Sequence, residues 1–128
     1  GAGSGILSVA AERFGAGSVL AIDNDSECWR ESQKMFKLNS ARRCKISKKD
    51  ISQISKKYDV VMANIIDGVL MAMKKDLWRT TKSGGYLILS GILTSGAKAF
   101  ISDFLEGQPG KVLQKISDSE WTAFLISK

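Results

Sequence analysis

The segment Gly1-Ala2-Gly3-Ser4-Gly5-Ile6-Leu7-Ser8, followed by Ser18-Val19-Leu20-Ala21-Ile22-Asp23, decides the fold class. Three glycines in five residues stand directly before a stretch of helical periodicity. The backbone there can bend tightly and approach a ligand at a helix N-terminus without side-chain obstruction. Ile6, Val9, Ala10 and Phe14 fall on one helical face, and Gly15-Ala16-Gly17 stops the helix. Residues 18–22 read as a short buried strand ending at Asp23, which lies 22 residues after Gly1. A carboxylate at that strand tip can accept hydrogen bonds from both hydroxyls of a ribose. Plainer readings stand beside these: an ordinary turn or a linker for the glycines, and a helix cap for Asp23. Asn24 and Asp25 are better placed for capping.

Outward from this start, helix-like and strand-like stretches alternate. Asp25 or Ser26 caps a second helix with Cys28, Ser32, Met35 and Phe36 on its inner face. A short strand around residues 44–46 follows. Residues 58–63 form a continuous apolar run of the kind buried on both faces, ending at Asn64. Asp67 caps a third helix carrying Val69, Leu70, Met73 and Leu77, and Gly84-Gly85 turns the chain into a strand over 86–90. A fourth helix over 95–105 places Ala97, Phe100, Ile101, Phe104 and Leu105 on one stripe. Two last strands, near 111–116 and 120–126, are joined by a turn too short for anything but an antiparallel pair. The expected fold is one α/β domain with a Rossmann-like sheet, mostly parallel, and an antiparallel C-terminal hairpin. Trp29, Trp78 and Trp121 are read as packing residues.

Composition narrows the chemistry. Two cysteines without ligand-like spacing and no histidine argue against zinc sites and histidine-based triads. The thiols read as reduced and cytoplasmic. No apolar run approaches the roughly 20 residues of a membrane span, and no signal peptide is expected. The net charge of +6 is uneven. Nine basic residues (Lys34, Lys37, Arg42, Arg43, Lys45, Lys48, Lys49, Lys56 and Lys57) face one acid, Asp50, over residues 34–57. Such a stretch suits contact with ribosomal RNA, or is a solvated helix and loop face.

Glycines followed by a ribose-binding acid also occur in dehydrogenases, whose fingerprint is G-x-G-x-x-G/A. Here the third glycine is Gly5 and position 6 is Ile, the G-x-G-x-G form usual in methyltransferases. Further blocks recur in order: Ala21-Ile22-Asp23, Ala63-Asn64-Ile65-Ile66, and Gly84-Gly85-Tyr86-Leu87-Ile88-Leu89-Ser90-Gly91-Ile92-Leu93. Together they resemble the ribosomal protein L-eleven methyltransferases, class I enzymes that use S-adenosylmethionine. The resemblance implies that Gly1, Gly3 and Gly5 contact the methionine part of the cofactor and Asp23 its ribose. It puts Asp50 where related enzymes hold the adenine amino group, unless that acid only neutralises the lysine run. Asn64 would line the cofactor and substrate pocket, or serve as a turn or cap residue. Ile65-Ile66-Asp67 follows Asn64 where enzymes acting on planar nitrogens carry Pro-Pro-Tyr/Phe, so a lysine side chain of a ribosomal protein fits better than a stacked base. No catalytic base is nominated.

The resemblance implies a strand order of 3-2-1-4-5-7-6, with the first strand and its acid preceding the glycine turn. This chain starts at that turn. The expectation is therefore a fragment whose second and fourth strands expose unpaired edges and which binds cofactor weakly by itself. Two other readings stay open: an RNA methyltransferase using the basic stretch, and a non-catalytic Rossmann-like binding module.

Overall fold

The computed structural model describes residues 1–128, and the chain divides into two compact units, Gly1–Ile54 and Ser55–Lys128. The first contains α1 (Ile6–Arg13), β1 (Val19–Ile22), α2 (Ser26–Leu38), β2 (Cys44–Ser47) and a 3-10 turn, Ile51–Gln53. The second contains β3 (Tyr58–Asn64), α3 (Asp67–Ala72), α4 (Lys74–Thr80), β4 (Thr81–Leu93), α5 (Ala97–Leu105), β5 (Lys111–Asp118) and β6 (Trp121–Ser127).

In the first unit β1 and β2 pair in parallel from Val19↔Cys44 to Ile22↔Ser47, with α2 as the crossover. Asp25 caps α2, its Oδ1 accepting the N–H groups of Glu27 at 2.6 Å and Cys28 at 3.1 Å, an arrangement worth about 1 kcal/mol. Val9, Ala21, Phe36 and Cys44 form the core. Phe14 departs from expectation: it is 93% exposed. It sits at the C-cap, one residue past the last helical position, and Gly15 at φ +98° turns the chain away there. Ile6 is exposed as well, so Val9 is the apolar anchor of α1.

In the second unit the sheet runs β3-β4-β6-β5. β3 and β4 are parallel, while β6 is antiparallel to both β4 and β5. The mostly parallel arrangement with an antiparallel C-terminal hairpin is thus present. The two sheets, β2-β1 and β3-β4-β6-β5, follow the 3-2 and 4-5-7-6 flanks of the expected order. Gly84-Gly85 forms a bulge within β4, because the register passes from Tyr58↔Thr81 to Val60↔Tyr86. Leu87, Leu89 and Ile92 point to one face with Phe124 and Ile126, all buried. Phe100 and Phe104 of α5 stack over them with ring centroids 5.5 Å apart, and Trp78 of α4 closes the cluster 5.8 Å from Phe104. Each such buried side chain contributes roughly 1.5–3 kcal/mol.

Three expectations need correction. β3 is not buried on both faces: Val60, which alternates away from the aromatic core, is 47% exposed; β3 is also an edge strand, paired only with β4. The third helix is two helices, α3 and α4, meeting at Met73, and its cap position is Ile66 rather than Asp67. Asp67 is instead the first helical residue, with Oδ1 turned onto the N–H of Gly68 at 2.7 Å. Of the three tryptophans, Trp78 alone is core, whereas Trp121 is half exposed and Trp29 lies beneath the Lys48 ammonium, 5.4 Å from its ring centre.

Candidate functional site

The glycine turn and Asp23 meet. The N–H of Gly3 donates to Asp23 Oδ2 at 2.9 Å, and the N–H of Asp25 donates to Oδ1 at 3.0 Å. The turn also runs beside the tip of β1, where Ile22 O accepts the N–H of Ala2 at 2.9 Å. On its far side Gly3 O accepts the hydroxyl of Ser32, a fully buried residue of α2, at 2.8 Å. The loop is therefore held at three points before any ligand arrives. Ser32 was legible only as an inner-face residue of α2; a small hydroxyl on an apolar stripe was the signal that it bonds to backbone.

Asp23 is only 7% exposed. Burial pushes its carboxyl upward, but the N–H donors of Gly3 and Asp25 and the terminal ammonium outweigh this, and the net shift is downward. The group is a carboxylate at neutral pH. Two N–H bonds use about half of the roughly four lone-pair positions of a carboxylate, leaving the others for hydroxyl donors.

The three glycines differ in what they do. A Cβ on Gly3, at φ +56°, would meet nothing within 4 Å, so this bend opens onto free space. A Cβ on Gly5, at φ +81°, would stand 2.8 Å from Phe36 Cε1, so Gly5 is demanded by helix packing. Gly1 is exposed and donates to Ile22 O at 3.0 Å. Beyond the bend, the N–H groups of Ile6 and Leu7 at the start of α1 have no acceptor in the chain, whereas Ser8 and Val9 both donate to Gly5 O. Such free donors favour an anionic group.

Asp50 follows β2 at the same end of the parallel pair as Asp23 follows β1. It caps the 3-10 turn reciprocally: Oδ1 accepts the N–H of Ser52 at 2.8 Å, and Gln53 Oε1 accepts the N–H of Asp50 at 3.0 Å. Those bonds to Ser52 hold its carboxyl below the ordinary value.

Asn64 ends β3 in the second unit, with an exposed amide that makes no hydrogen bond in the chain. Gly91, at φ +83°, lies opposite. A Cβ there would come within 2.8 Å of Ile65 O and 3.0 Å of Asn64 Oδ1, so the 64–65 bend needs a glycine beside it.

The basic stretch over 34–57 is not one surface. Lys34 pairs with Glu31 at 2.6 Å, Lys48 hydrogen-bonds Ser26 Oγ near the start of α2, and Lys56 lies over the Tyr58 ring. Arg42 and Arg43 stand at the opposite, amino end of β2.

A parallel pair with a glycine bend and a strand-tip carboxylate, together with a parallel-to-antiparallel sheet in the order β3-β4-β6-β5, defines the class I methyltransferase fold. The model of the family described as ribosomal protein L11 methyltransferase (PrmA) matches residues 1–128. A ribosomal protein L11 methyltransferase of a Nitratiruptor species is 39% identical over 98% of this chain and 43% of its own length. One from Campylobacter concisus is 35% identical over 100% of this chain and 45% of its own. The crystal structure of a ribosomal protein L11 methylase from Lactobacillus delbrueckii subsp. bulgaricus superposes with a TM-score of 0.93 at 29% identity, covering 100% of this chain and 66% of that one. The chain belongs to the ribosomal protein L11 methyltransferase family. It spans less than half the length of these two curated relatives. No helix is long and apolar enough to cross a membrane.

Proposed function

We propose that this chain forms the S-adenosylmethionine-binding part of an N-methyltransferase acting on lysine side chains or the N-terminus of a large-subunit ribosomal protein. The bond from Gly3 to a buried, ionised Asp23 carries the reading. It leaves carboxylate lone pairs for ribose hydroxyls beside an open glycine bend, and the free N–H groups of Ile6 and Leu7 suit the cofactor's carboxylate. Gly1, Gly3 and Gly5 shape the methionine end, Asp23 the ribose, and Asp50 the adenine amino group. When bound, the cofactor supplies an already activated sulfonium methyl, so the protein's own part is to align and desolvate. A lysine amine must be neutral to attack, and exclusion of water lowers its pKa from about 10.4. The family supports a ribosomal protein as substrate.

The test, made on the full-length protein, is transfer of tritiated methyl from S-adenosylmethionine to purified ribosomal protein L11 or, separately, to ribosomal RNA. Label in the protein supports the reading, and label in RNA alone favours the RNA methyltransferase. No transfer, with no cofactor retained on dialysis, favours a non-catalytic module.

A further inference from the structure

We propose that a hollow at the amino ends of β1 and β2, formed by Arg13, Asn39, Ser40, Arg42 and Arg43, binds the phosphate backbone of RNA, with Phe14 stacking on an unpaired base. The hollow is open and has a volume of about 410 Å³, within the size range of sites that hold small ligands. It lies at the end of the parallel pair opposite Asp23. A four-residue strand separates the two ends, about 13 Å at the usual rise.

Its charge is unbalanced. Arg42 and Arg43 are exposed and make no ion pair, and the Arg13 guanidinium reaches only Asn39 Oδ1, at 3.4 Å. The one acid in the lining, the half-buried Glu12, accepts the N–H of Arg43 at 2.9 Å and the thiol of Cys44 at 3.3 Å; its carboxylate also feels the Arg43 charge, and it offsets only one of the three arginines. Arg13 and Lys37 lie in the last turns of α1 and α2, where a cation complements the helix dipole. Arg42 and Arg43 lie beyond both helices, so helix stability does not account for them. Their loop is fixed in advance: Ala41 donates to Phe36 O, and the Asn39 amide donates to Met35 O. Two planar guanidinium forks on this fixed loop, with a third at the end of α1, suit the bidentate recognition of phosphate.

Phe14 selects the nucleic acid. It follows Arg13 in the chain and is 93% exposed, the most exposed large apolar side chain of the protein. An exposed aromatic ring one residue along the chain from Arg13, at the C-cap of α1, offers a platform for stacking an unpaired base. Along the sequence Phe14 and Arg42 stand 28 residues apart, and the one aromatic residue within 34–57, Phe36, is buried in the core.

The test is fluorescence anisotropy with a labelled RNA hairpin carrying an unpaired loop, from 50 to 300 mM KCl, without cofactor, so that the outcome stands apart from the methyl-donor reading. The double variant Arg42→Gln/Arg43→Gln should bind at least tenfold more weakly at low salt. Its slope of log affinity against log salt should be shallower by about 1.4, two phosphate contacts at roughly 0.7 each for single strands. Phe14→Ala should weaken the hairpin about fivefold and leave a fully paired duplex unaffected. Lys98→Gln, an exposed position on α5, should bind as the parent chain does. Urea midpoints of all variants confirm that they remain folded. Hairpin binding by the arginine variant equal to the parent, or equal binding of a poly-glutamate peptide by the parent, would overturn the proposal.

Discussion

Replacing Asp23 by Asn changes almost no volume, yet it removes one of two acceptors. The side chain then offers one oxygen and one NH₂ group where Gly3 and Asp25 each present an N–H, at 2.9 and 3.0 Å. One of those N–H groups must face a donor. A hydrogen bond to a charged acceptor is worth about 1.5–3 kcal/mol, so Asp23→Asn should cost about 2 kcal/mol at pH 7, roughly a thirtyfold change in the folding equilibrium. With a urea dependence of about 2 kcal/mol per molar, the midpoint should fall by about 1 M. The pH dependence has a definite sign. The folded-state carboxyl is shifted downward, so its contribution is present in full above the unfolded value of about 3.9 and is lost as the pH falls through the lower folded value. The gap between parent and variant should therefore be wide at pH 7 and narrow below pH ~3. Equal midpoints at pH 7, or a gap unchanged in acid, would refute the view that this carboxylate ties the glycine bend to β1.

The glycines should separate stability from ligand access. Gly5→Ala combines left-handed backbone strain with a 2.8 Å approach to Phe36, and should cost about 2–4 kcal/mol in a urea titration. Gly3→Ala has the strain but no clash, so it should cost only about 1–2 kcal/mol while weakening cofactor binding in equilibrium dialysis by more than Gly5→Ala does in its folded fraction. The thiols should react unequally with Ellman's reagent at pH 8. Burial, with the bond to Glu12, pushes Cys44 up to about 11, so it should react only on unfolding, after the half-buried Cys28. Equal rates for the two thiols in the folded chain would contradict this.

What could be read from sequence was whatever depends on short-range pattern. The helix over 26–38 follows from Asp25 and the Ser32–Phe36 stripe, and the hairpin of β5 and β6 follows from a turn too short for a crossover. The meeting of Gly3 with Asp23 was legible because a glycine bend and a strand tip are each marked locally. Burial was harder to read. An apolar run such as 58–63 looks the same whether one face or two are covered, and Phe14 keeps helical phase although the helix has already ended at Arg13. The dispersal of the basic stretch was hidden for the same reason: β2 carries Arg43 and Lys48 to opposite ends of one strand, and no count of charges reports that.

The central claim, that the Gly3–Asp23 junction receives the adenosyl group of a methyl donor, is tested most directly by amide chemical shifts. A ¹⁵N-labelled chain titrated with S-adenosylhomocysteine to millimolar concentration reports even weak binding. The account predicts saturable shifts at Gly3, Gly5, Asp23 and Asp25, with the amides near Arg42 and Arg43 unmoved. Shifts confined to other residues, or none at saturating concentration, would contradict it.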